Sequence, residues 1–137
     1  MYAFTYERPA TIQEASQQVA NGVQALAGGQ TMLAAMKQRL MQPEKLVDLS
    51  QIKALHGIKK DGNTLVIGAM CTHQTVETNA DVKANIPALA ALAGGIGDRQ
   101  VRAMGTIGGS VANNDPAACY PSAVLALDAI IHTNQRT

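Results

Sequence analysis

The sequence predicts an α+β protein of two lobes: a small α/β lobe with a three-stranded sheet, then a second lobe with antiparallel strands. The first ~50 residues alternate between short apolar segments and amphipathic segments, a pattern typical of strands separated by helices. The next part carries a hairpin pattern, two apolar strands about a tight polar turn. We expect the first lobe at residues 1–55 and the second at residues 56–137, the second incomplete at its C-terminal end.

The first lobe is predicted to contain a helix that Thr11 caps. Thr11 and Glu14 have the spacing of a capping box, in which both side chains accept hydrogen bonds from free N–H groups at the helix start. Asn21-Gly22 ends this helix, because glycine readily takes the left-handed conformation that follows a helix. The other elements of this lobe are a strand near the N-terminus, a strand at residues 23–27, a helix at 31–41 and a strand at 45–49.

The second lobe is predicted to open with a hairpin of strands 57–60 and 64–68 about the turn Asp61-Gly62-Asn63. Residues 110–116 are rich in asparagine and aspartate, so we expect irregular backbone there. A strand at 129–132 closes the sequence, and a last strand without a following partner suggests a fold that continues. Short helices are expected at residues 72–77, at residues 87–93 and from Tyr120.

The composition excludes several classes of function. Charged residues make up 15% of the chain, the net charge is +1, and the lysines and arginines are scattered, so no basic surface for nucleic acid is predicted. Aromatic residues are 3%, too few for a base-stacking platform. The sequence has neither an apolar run of membrane-span length nor a signal-peptide pattern at its start. A surface so poor in charge is expected to be covered in part by partner subunits.

The titratable residues predict no metal ligand and no catalytic acid or base. Cys71 and Cys119 are single and far apart, which argues against a cysteine-framed metal or iron–sulfur site and favours a reducing, cytoplasmic setting. His56, His73 and His132 are isolated, so we expect each to be a surface or helix-cap residue. No paired carboxylates stand out.

Two Gly-Gly pairs are the features that point to a ligand. They lie in the segments AGGQT (27–31) and TIGGS (106–110), and each is predicted to follow an apolar strand. Glycine lets the backbone approach a bulky anion, and successive N–H groups in such a turn form an anion-binding nest. A plain strand-to-helix turn is the alternative. Neither segment is a dinucleotide fingerprint or a Walker A loop, and Gly95-Ile96-Gly97 lacks the third glycine of that fingerprint.

Longer blocks around these pairs carry a resemblance to a known family. The blocks are LAGGQT (26–31), LVDL (46–49), IGAM (67–70), QVR (100–102) and MGTIGGSVANNDP (104–116). With them the chain resembles, over essentially its whole length, the FAD-binding domain of the medium subunit of molybdenum hydroxylases. This is the carbon monoxide dehydrogenase and xanthine dehydrogenase family.

The resemblance implies that FAD is the cofactor and that the two loops, one from each lobe, clamp its pyrophosphate through backbone N–H groups. It places Ile107 near the flavin, Asn113 and Asp115 near the ribityl chain or ring, and Ile96 against the adenine. No side chain is implied as a catalytic acid or base. The two sides of the implied clamp are Ala27, Gly28, Gly29, Gln30 and Thr31, and Thr106, Ile107, Gly108, Gly109 and Ser110.

The resemblance also implies partners and an electron path. Substrate is hydroxylated at a molybdenum cofactor in a large subunit, and electrons pass through two [2Fe–2S] clusters of a small subunit to FAD. FAD then transfers the electrons to a quinone, NAD or oxygen. The three subunits are expected to form a heterotrimer or a dimer of heterotrimers. This chain fixes neither the substrate nor the acceptor. The alternatives are a flavin-free assembly or scaffold domain of such a complex and a free-standing FAD oxidase.

Two departures from the family pattern stand out. Many relatives carry an acidic residue where this chain has Cys119, which we expect to pack beside the site rather than to act as a redox thiol. The family's FAD domain also runs on for several further strands, with a C-terminal domain after them. The chain is therefore expected to be a truncated piece or the product of a split gene, lacking a part that helps to cover the flavin.

Overall fold

The computed structural model describes residues 1–136, and its first part is a small three-layer α/β lobe. The three-stranded sheet is parallel, with β3 between β1 and β2. The predicted fold class and the three-stranded sheet are confirmed. The elements of this lobe are β1 (Thr5–Glu7), α1 (Ile12–Ala20), β2 (Gln24–Leu26), α2 (Met32–Lys37) and β3 (Lys45–Asp48), followed by two 3₁₀ turns at Leu49–Gln51 and Lys53–Leu55.

The two helices cover opposite faces of this sheet. Leu46 and Val47 are neighbours on the central strand, so their side chains point to opposite faces. Val47 packs with Ala15 of α1, whereas Leu46 packs with Leu26 and with Met36 of α2. Burial on both faces explains why two consecutive residues of the central strand, Leu46 and Val47, are both apolar.

The predicted N-cap of α1 at Thr11 is confirmed, and Glu14 bonds one residue before the position that a standard capping box uses. The Oγ1 atom of Thr11 accepts a hydrogen bond from the backbone N–H of Glu14 at 3.2 Å. The carboxylate of Glu14 reaches back to the backbone N–H of Ala10, also at 3.2 Å. The first bond satisfies an N–H group of the first helical turn that has no partner within the helix, and the second fixes the chain just before the helix.

The second predicted helix is shorter than the sequence suggested. Residues 31–41 were expected to be helical, but α2 ends at Lys37 and Gln38 caps it. Arg39 has φ of +62°, a left-handed conformation that a helix cannot continue through. The apolar spacing alone therefore overestimated its length.

The second lobe consists of one hairpin and six short helices in the part of the chain that the structure describes. The strands β4 (Ile58–Asp61) and β5 (Thr64–Ile67) are antiparallel, as predicted. Gly62, with φ of +57°, makes the turn between them. The helices are α3 (His73–Thr78), α4 (Ala80–Asn85), α5 (Pro87–Gly94), α6 (Arg99–Met104), α7 (Ile107–Asn113) and α8 (Cys119–Ala126).

Three expectations for this lobe were wrong. The second Gly-Gly pair does not follow a strand; it follows α6 and lies in the first turn of α7. Residues 110–113 are helical rather than irregular, because Thr106 caps α7 and the left-handed Asn114 ends it. Residues 129–132 form no strand, and the side chain of Ile130 is exposed. Left-handed Asp128 ends the preceding turn, and no other described strand pairs with this segment.

The last described residues return to the first lobe. Asn134 donates a hydrogen bond from its side chain to the hydroxyl of Ser16 on α1, at 3.0 Å. The lobe boundary after residue 55 stays a prediction. The bond from Asn134 shows that part of the chain after that boundary contacts the first lobe. None of the helices in the described part is long and apolar enough to cross a membrane.

A charged network ties the edge strand β1 to the central strand. Asp48, buried at the end of β3, accepts hydrogen bonds from the hydroxyl of Tyr6 and from the backbone N–H of Ser50 at 2.8 Å. The guanidinium of Arg8 lies 3.3 Å from the same carboxylate. Burial by itself would raise the pKa of Asp48, but the bonds from Tyr6 and Ser50 and the charge of Arg8 outweigh it, so this pKa lies below its ordinary value.

Asp48→Asn is expected to lower the free energy of unfolding at pH 7 by about 1–3 kcal/mol, since it weakens charge-assisted bonds at a buried site. Because the folded-state pKa is lowered, this contribution is present above the unfolded pKa of about 4 and is lost as the pH falls through the folded value. Urea unfolding between neutral and acidic pH measures both effects. The wild-type protein should lose more stability on acidification than the variant, whereas exposed Asp81→Asn should change little. Parallel pH profiles for wild type and Asp48→Asn would contradict this.

Candidate functional site

The two glycine loops, one from each lobe, touch each other. The first loop is residues 27–31, between β2 and α2, and the second loop is residues 104–110, from the end of α6 into α7. A Cβ atom built on Gly28 would collide with the carbonyl oxygen of Met104 and lie 2.8 Å from the Cα of Gly105. A Cβ built on Gly109 would lie 3.3 Å from that of Ala27. The fold thus joins two segments that the sequence separates by about 80 residues.

The first loop presents unpaired backbone donors. Among residues 1–136, no acceptor takes a hydrogen bond from the backbone N–H of Gly28, Gly29, Gln30 or Thr31. Gly29 has φ of +71°, which glycine adopts without strain. The side-chain amide of Gln30 donates to the carbonyl of Gly28 at 3.3 Å and closes the turn. Four free donors on a partly exposed turn are chemically suited to an anion such as a phosphate.

The second loop uses its backbone donors within the protein. The N–H of Ile107 donates to the carbonyl of Cys71 at 3.0 Å, and that of Gly108 to the carbonyl of Ala69 at 2.9 Å. The N–H of Gly109 donates to the hydroxyl of Thr106, the cap of α7, at 3.1 Å. Ser110 donates to the carbonyl of Thr106 at 3.0 Å. The two loops are therefore not equivalent: the first has free N–H groups, and the second is anchored to residues 69–71 beneath it.

The other predicted site residues lie along the second lobe. Ile96, in the connection from α5 to α6, is partly buried and packs against the core of this lobe. Asn113 is exposed at the end of α7. Asp115 is exposed as well, and its carboxylate accepts a hydrogen bond from the backbone N–H of Ala117 at 2.8 Å. The contacts given for Ile96 and Asp115 lie within the second lobe, whereas Ala27 and Gly28 contact the second loop directly.

Two titratable residues differ from their expected settings. Cys119, expected to pack beside the site, is exposed at the first position of α8. His73, expected at the surface or as a cap, is 5% exposed and follows the true cap, Thr72. Burial lowers the pKa of His73, which keeps the imidazole neutral at physiological pH.

Sequence reasoning missed the segment that supports the second loop. Residues 69–73 accept or donate three backbone hydrogen bonds with Gly105, Ile107 and Gly108. The block IGAM (67–70) was the available signal, because its apolar and small residues lead directly into this segment. Two surface cavities of about 340 and 410 Å³ lie elsewhere, and neither is lined by a residue of the first loop.

The fold and the paired glycine loops define a two-lobed α+β domain in which a turn with unpaired backbone donors lies where the two loops meet. Comparison with known proteins places this domain in a family. The profile described as the FAD binding domain in molybdopterin dehydrogenase matches residues 2–137. The chain therefore belongs to the FAD-binding domain family of the molybdopterin dehydrogenases, as the resemblance suggested.

Curated relatives include medium chains of dehydrogenases. The carbon monoxide dehydrogenase medium chain of Hydrogenophaga pseudoflava is 40% identical over 129 residues, which cover 92% of this chain and 45% of that protein. The glyceraldehyde dehydrogenase medium chain of Sulfolobus acidocaldarius is 35% identical over 130 residues, which cover 93% of this chain and 46% of that protein. The chain thus spans a little under half the length of these curated relatives.

Solved structures agree with the sequence relatives. The carbon monoxide dehydrogenase of Hydrogenophaga pseudoflava matches with a TM-score of 0.89 at 39% identity, over 91% of this chain and 45% of that one. Quinoline 2-oxidoreductase of Pseudomonas putida 86 matches with a TM-score of 0.82 at 36% identity, over 85% of this chain and 42% of that one. The mixed architecture of a parallel sheet and a helical second lobe is that of the family.

Proposed function

We propose that this chain forms the pyrophosphate-binding part of the flavin subunit of a molybdenum hydroxylase, and that its bound FAD transfers electrons between partner subunits and an external acceptor. One observation carries the proposal most directly. The two glycine loops meet, and the first of them holds four backbone N–H groups that no described residue engages. Those donors, together with membership in the FAD-binding family, fit a dinucleotide cofactor.

We assign the pyrophosphate to the first loop. The N–H groups of Gly28, Gly29, Gln30 and Thr31 would donate to its oxygens, and the bond from Gln30 to the carbonyl of Gly28 holds the turn in shape. Ala27 contributes by packing against Gly109. Binding in this arrangement costs little reorganisation, because the donors already stand unpaired on a closed turn.

We assign the rest of the cofactor to the second lobe. Thr106, Gly108 and Gly109 place the second loop against the first, and Ser110 and Ile107 would face the cofactor beyond the pyrophosphate. Asn113 and Asp115 would supply polar contacts to the ribityl chain or ring. Ile96, partly buried at the edge of the core, would pack against the adenine. These roles are proposals that rest on the family resemblance.

When bound, FAD supplies the redox chemistry, and the protein supplies its position and electrostatic setting. The chain's own contribution is to hold the two phosphates, to orient the flavin and to exclude water from one of its sides. We propose that the partners are a large subunit with a molybdenum cofactor and a small subunit with [2Fe–2S] clusters, and that the complex is cytoplasmic. Two of its relatives are medium chains of dehydrogenases, which supports a multi-subunit oxidoreductase.

The proposal is tested by titrating the chain with FAD and with FMN while following flavin fluorescence. FAD is expected to bind at least about 100-fold more tightly than FMN, because FMN lacks the pyrophosphate and the adenosine that the loops would hold. ADP should compete with FAD, since it carries the same two phosphates, and AMP should compete poorly. Equal affinity for FAD and FMN would contradict the assignment of the first loop. Binding of neither would favour a flavin-free assembly domain.

A further inference from the structure

A buried pair of rings lies beneath the second loop. The rings of His73, at the start of α3, and Tyr120, in α8, have centroids 5.3 Å apart with an angle of 44° between their planes. Tyr120 is fully buried and His73 is 5% exposed. Within the described residues, neither Nδ1 of His73 nor the hydroxyl of Tyr120 has a hydrogen-bond partner.

His73 is in direct contact with the second loop. Its backbone N–H donates to the carbonyl of Gly105 at 2.9 Å. A Cβ atom built on Gly105 would lie 2.5 Å from Nε2 of His73, so the imidazole fills the space where a side chain would stand. The N–H of Ile107 donates to the carbonyl of Cys71, two residues before His73. The imidazole thus packs directly against the second loop.

The surroundings of the two rings are apolar. Tyr120 belongs to a core cluster with Cys71, Val76, Leu89 and Ala93. Burial raises the pKa of Tyr120 and lowers that of His73, which favours the neutral form of both side chains at neutral pH. A neutral hydroxyl and a neutral imidazole nitrogen left unpaired in such a core are each costly, and native proteins rarely leave them so.

We propose that one internal water molecule bridges Nδ1 of His73 to the hydroxyl of Tyr120, and that this bridged pair positions the second loop for the flavin. The two atoms are not bonded to each other although their rings are neighbours. A shared water satisfies both of them, as buried waters commonly do for polar groups in a core. The second half of the proposal rests on the proposed flavin site; the first half does not.

The water bridge is tested on the full chain by recording the ring nitrogen resonances of His73 in wild type, in Tyr120→Phe and in a matched control, Tyr2→Phe. Tyr2 is 44% exposed in the other lobe. Tyr120→Phe should shift the Nδ1 resonance and Tyr2→Phe should not. A crystal structure with an ordered water within hydrogen-bond distance of both atoms would support the bridge. An unchanged Nδ1 resonance, or a direct bond from His73 to Tyr120, would overturn it.

The positioning role is tested by the affinity for FAD. Tyr120→Phe keeps the ring, so the fold should survive, and the FAD dissociation constant should rise about fivefold, the effect of losing one buried hydrogen bond. Tyr2→Phe should leave it unchanged. An unchanged constant in Tyr120→Phe, together with a shifted Nδ1 resonance, would overturn the positioning role. If the wild-type chain takes up no FAD, the proposed function fails, while the nitrogen resonances still decide the water bridge.

Discussion

Gly28→Ala is expected to lower FAD affinity by at least about 100-fold. The clash is with the protein and not with the flavin. The new Cβ would collide with the carbonyl oxygen of Met104 and the Cα of Gly105, which are backbone atoms and cannot move aside as a side chain can. The two loops would move apart, and the backbone N–H groups of the first loop would no longer lie beside the second loop. The same clash should lower the free energy of unfolding without flavin by about 1–3 kcal/mol. Flavin fluorescence titration and urea unfolding measure the two effects.

Gly95→Ala is the matched control for this variant. Gly95 follows α5, its backbone is not left-handed, and the nearest atom to a built Cβ is 3.5 Å away, an ordinary contact. Stability and FAD affinity should therefore stay close to wild type. If Gly28→Ala bound FAD as tightly as Gly95→Ala, the contact between the loops would have no part in cofactor binding.

Gly108→Ala is expected to have the next largest effect. A Cβ at this position would lie 2.5 Å from the Cβ of Ala69 and 2.6 Å from its carbonyl oxygen, the acceptor of the Gly108 N–H. Alanine is favoured over glycine inside a helix by about 1 kcal/mol. The clash should more than cancel that gain, lower stability by about 1–3 kcal/mol and weaken FAD binding at least about 30-fold.

Gly94→Ala separates the clash from helix propensity. Gly94 is the last residue of α5, and the nearest atoms to a built Cβ there belong to the side chain of Glu77, at 3.2 Å, which can shift slightly while it pairs with Arg102. This variant should be as stable as wild type or slightly more so. If thermal unfolding showed equal stability for Gly94→Ala and Gly108→Ala, the anchoring of the second loop on Ala69 would be refuted.

The sequence predicted the first loop better than the second. The mostly apolar residues 23–27 followed by Gly-Gly predicted the correct order of strand, turn and helix, because local spacing and turn chemistry decide that order. The second loop was predicted to follow a strand, and it begins α7 instead. Its helical state depends on Thr106 as a cap and on acceptors at Ala69 and Cys71, which are remote in sequence. No local pattern contains that information.

The ligand-binding character of the site was visible in the sequence, but its geometry was not. Two Gly-Gly pairs predicted an anion site, and the family resemblance added FAD. That Gly28 is needed for contact with Met104, and that His73 is buried below Gly105, depends on how the lobes pack. A lone histidine is usually exposed or a cap, so sequence reasoning had no ground to place this one in a core.

The parallel sheet of the first lobe also bears on how the chain folds during synthesis. β1 and β2 each pair with β3 and not with each other, and β3 is the last of the three to be made. On the ribosome, the edge strands have no hydrogen-bonding neighbour until residues 45–48 emerge. Such long-range pairing is slow to form, and unpaired strand edges promote aggregation. The edge strands of the first lobe are therefore expected to stay unpaired, and open to aggregation, until the central strand emerges.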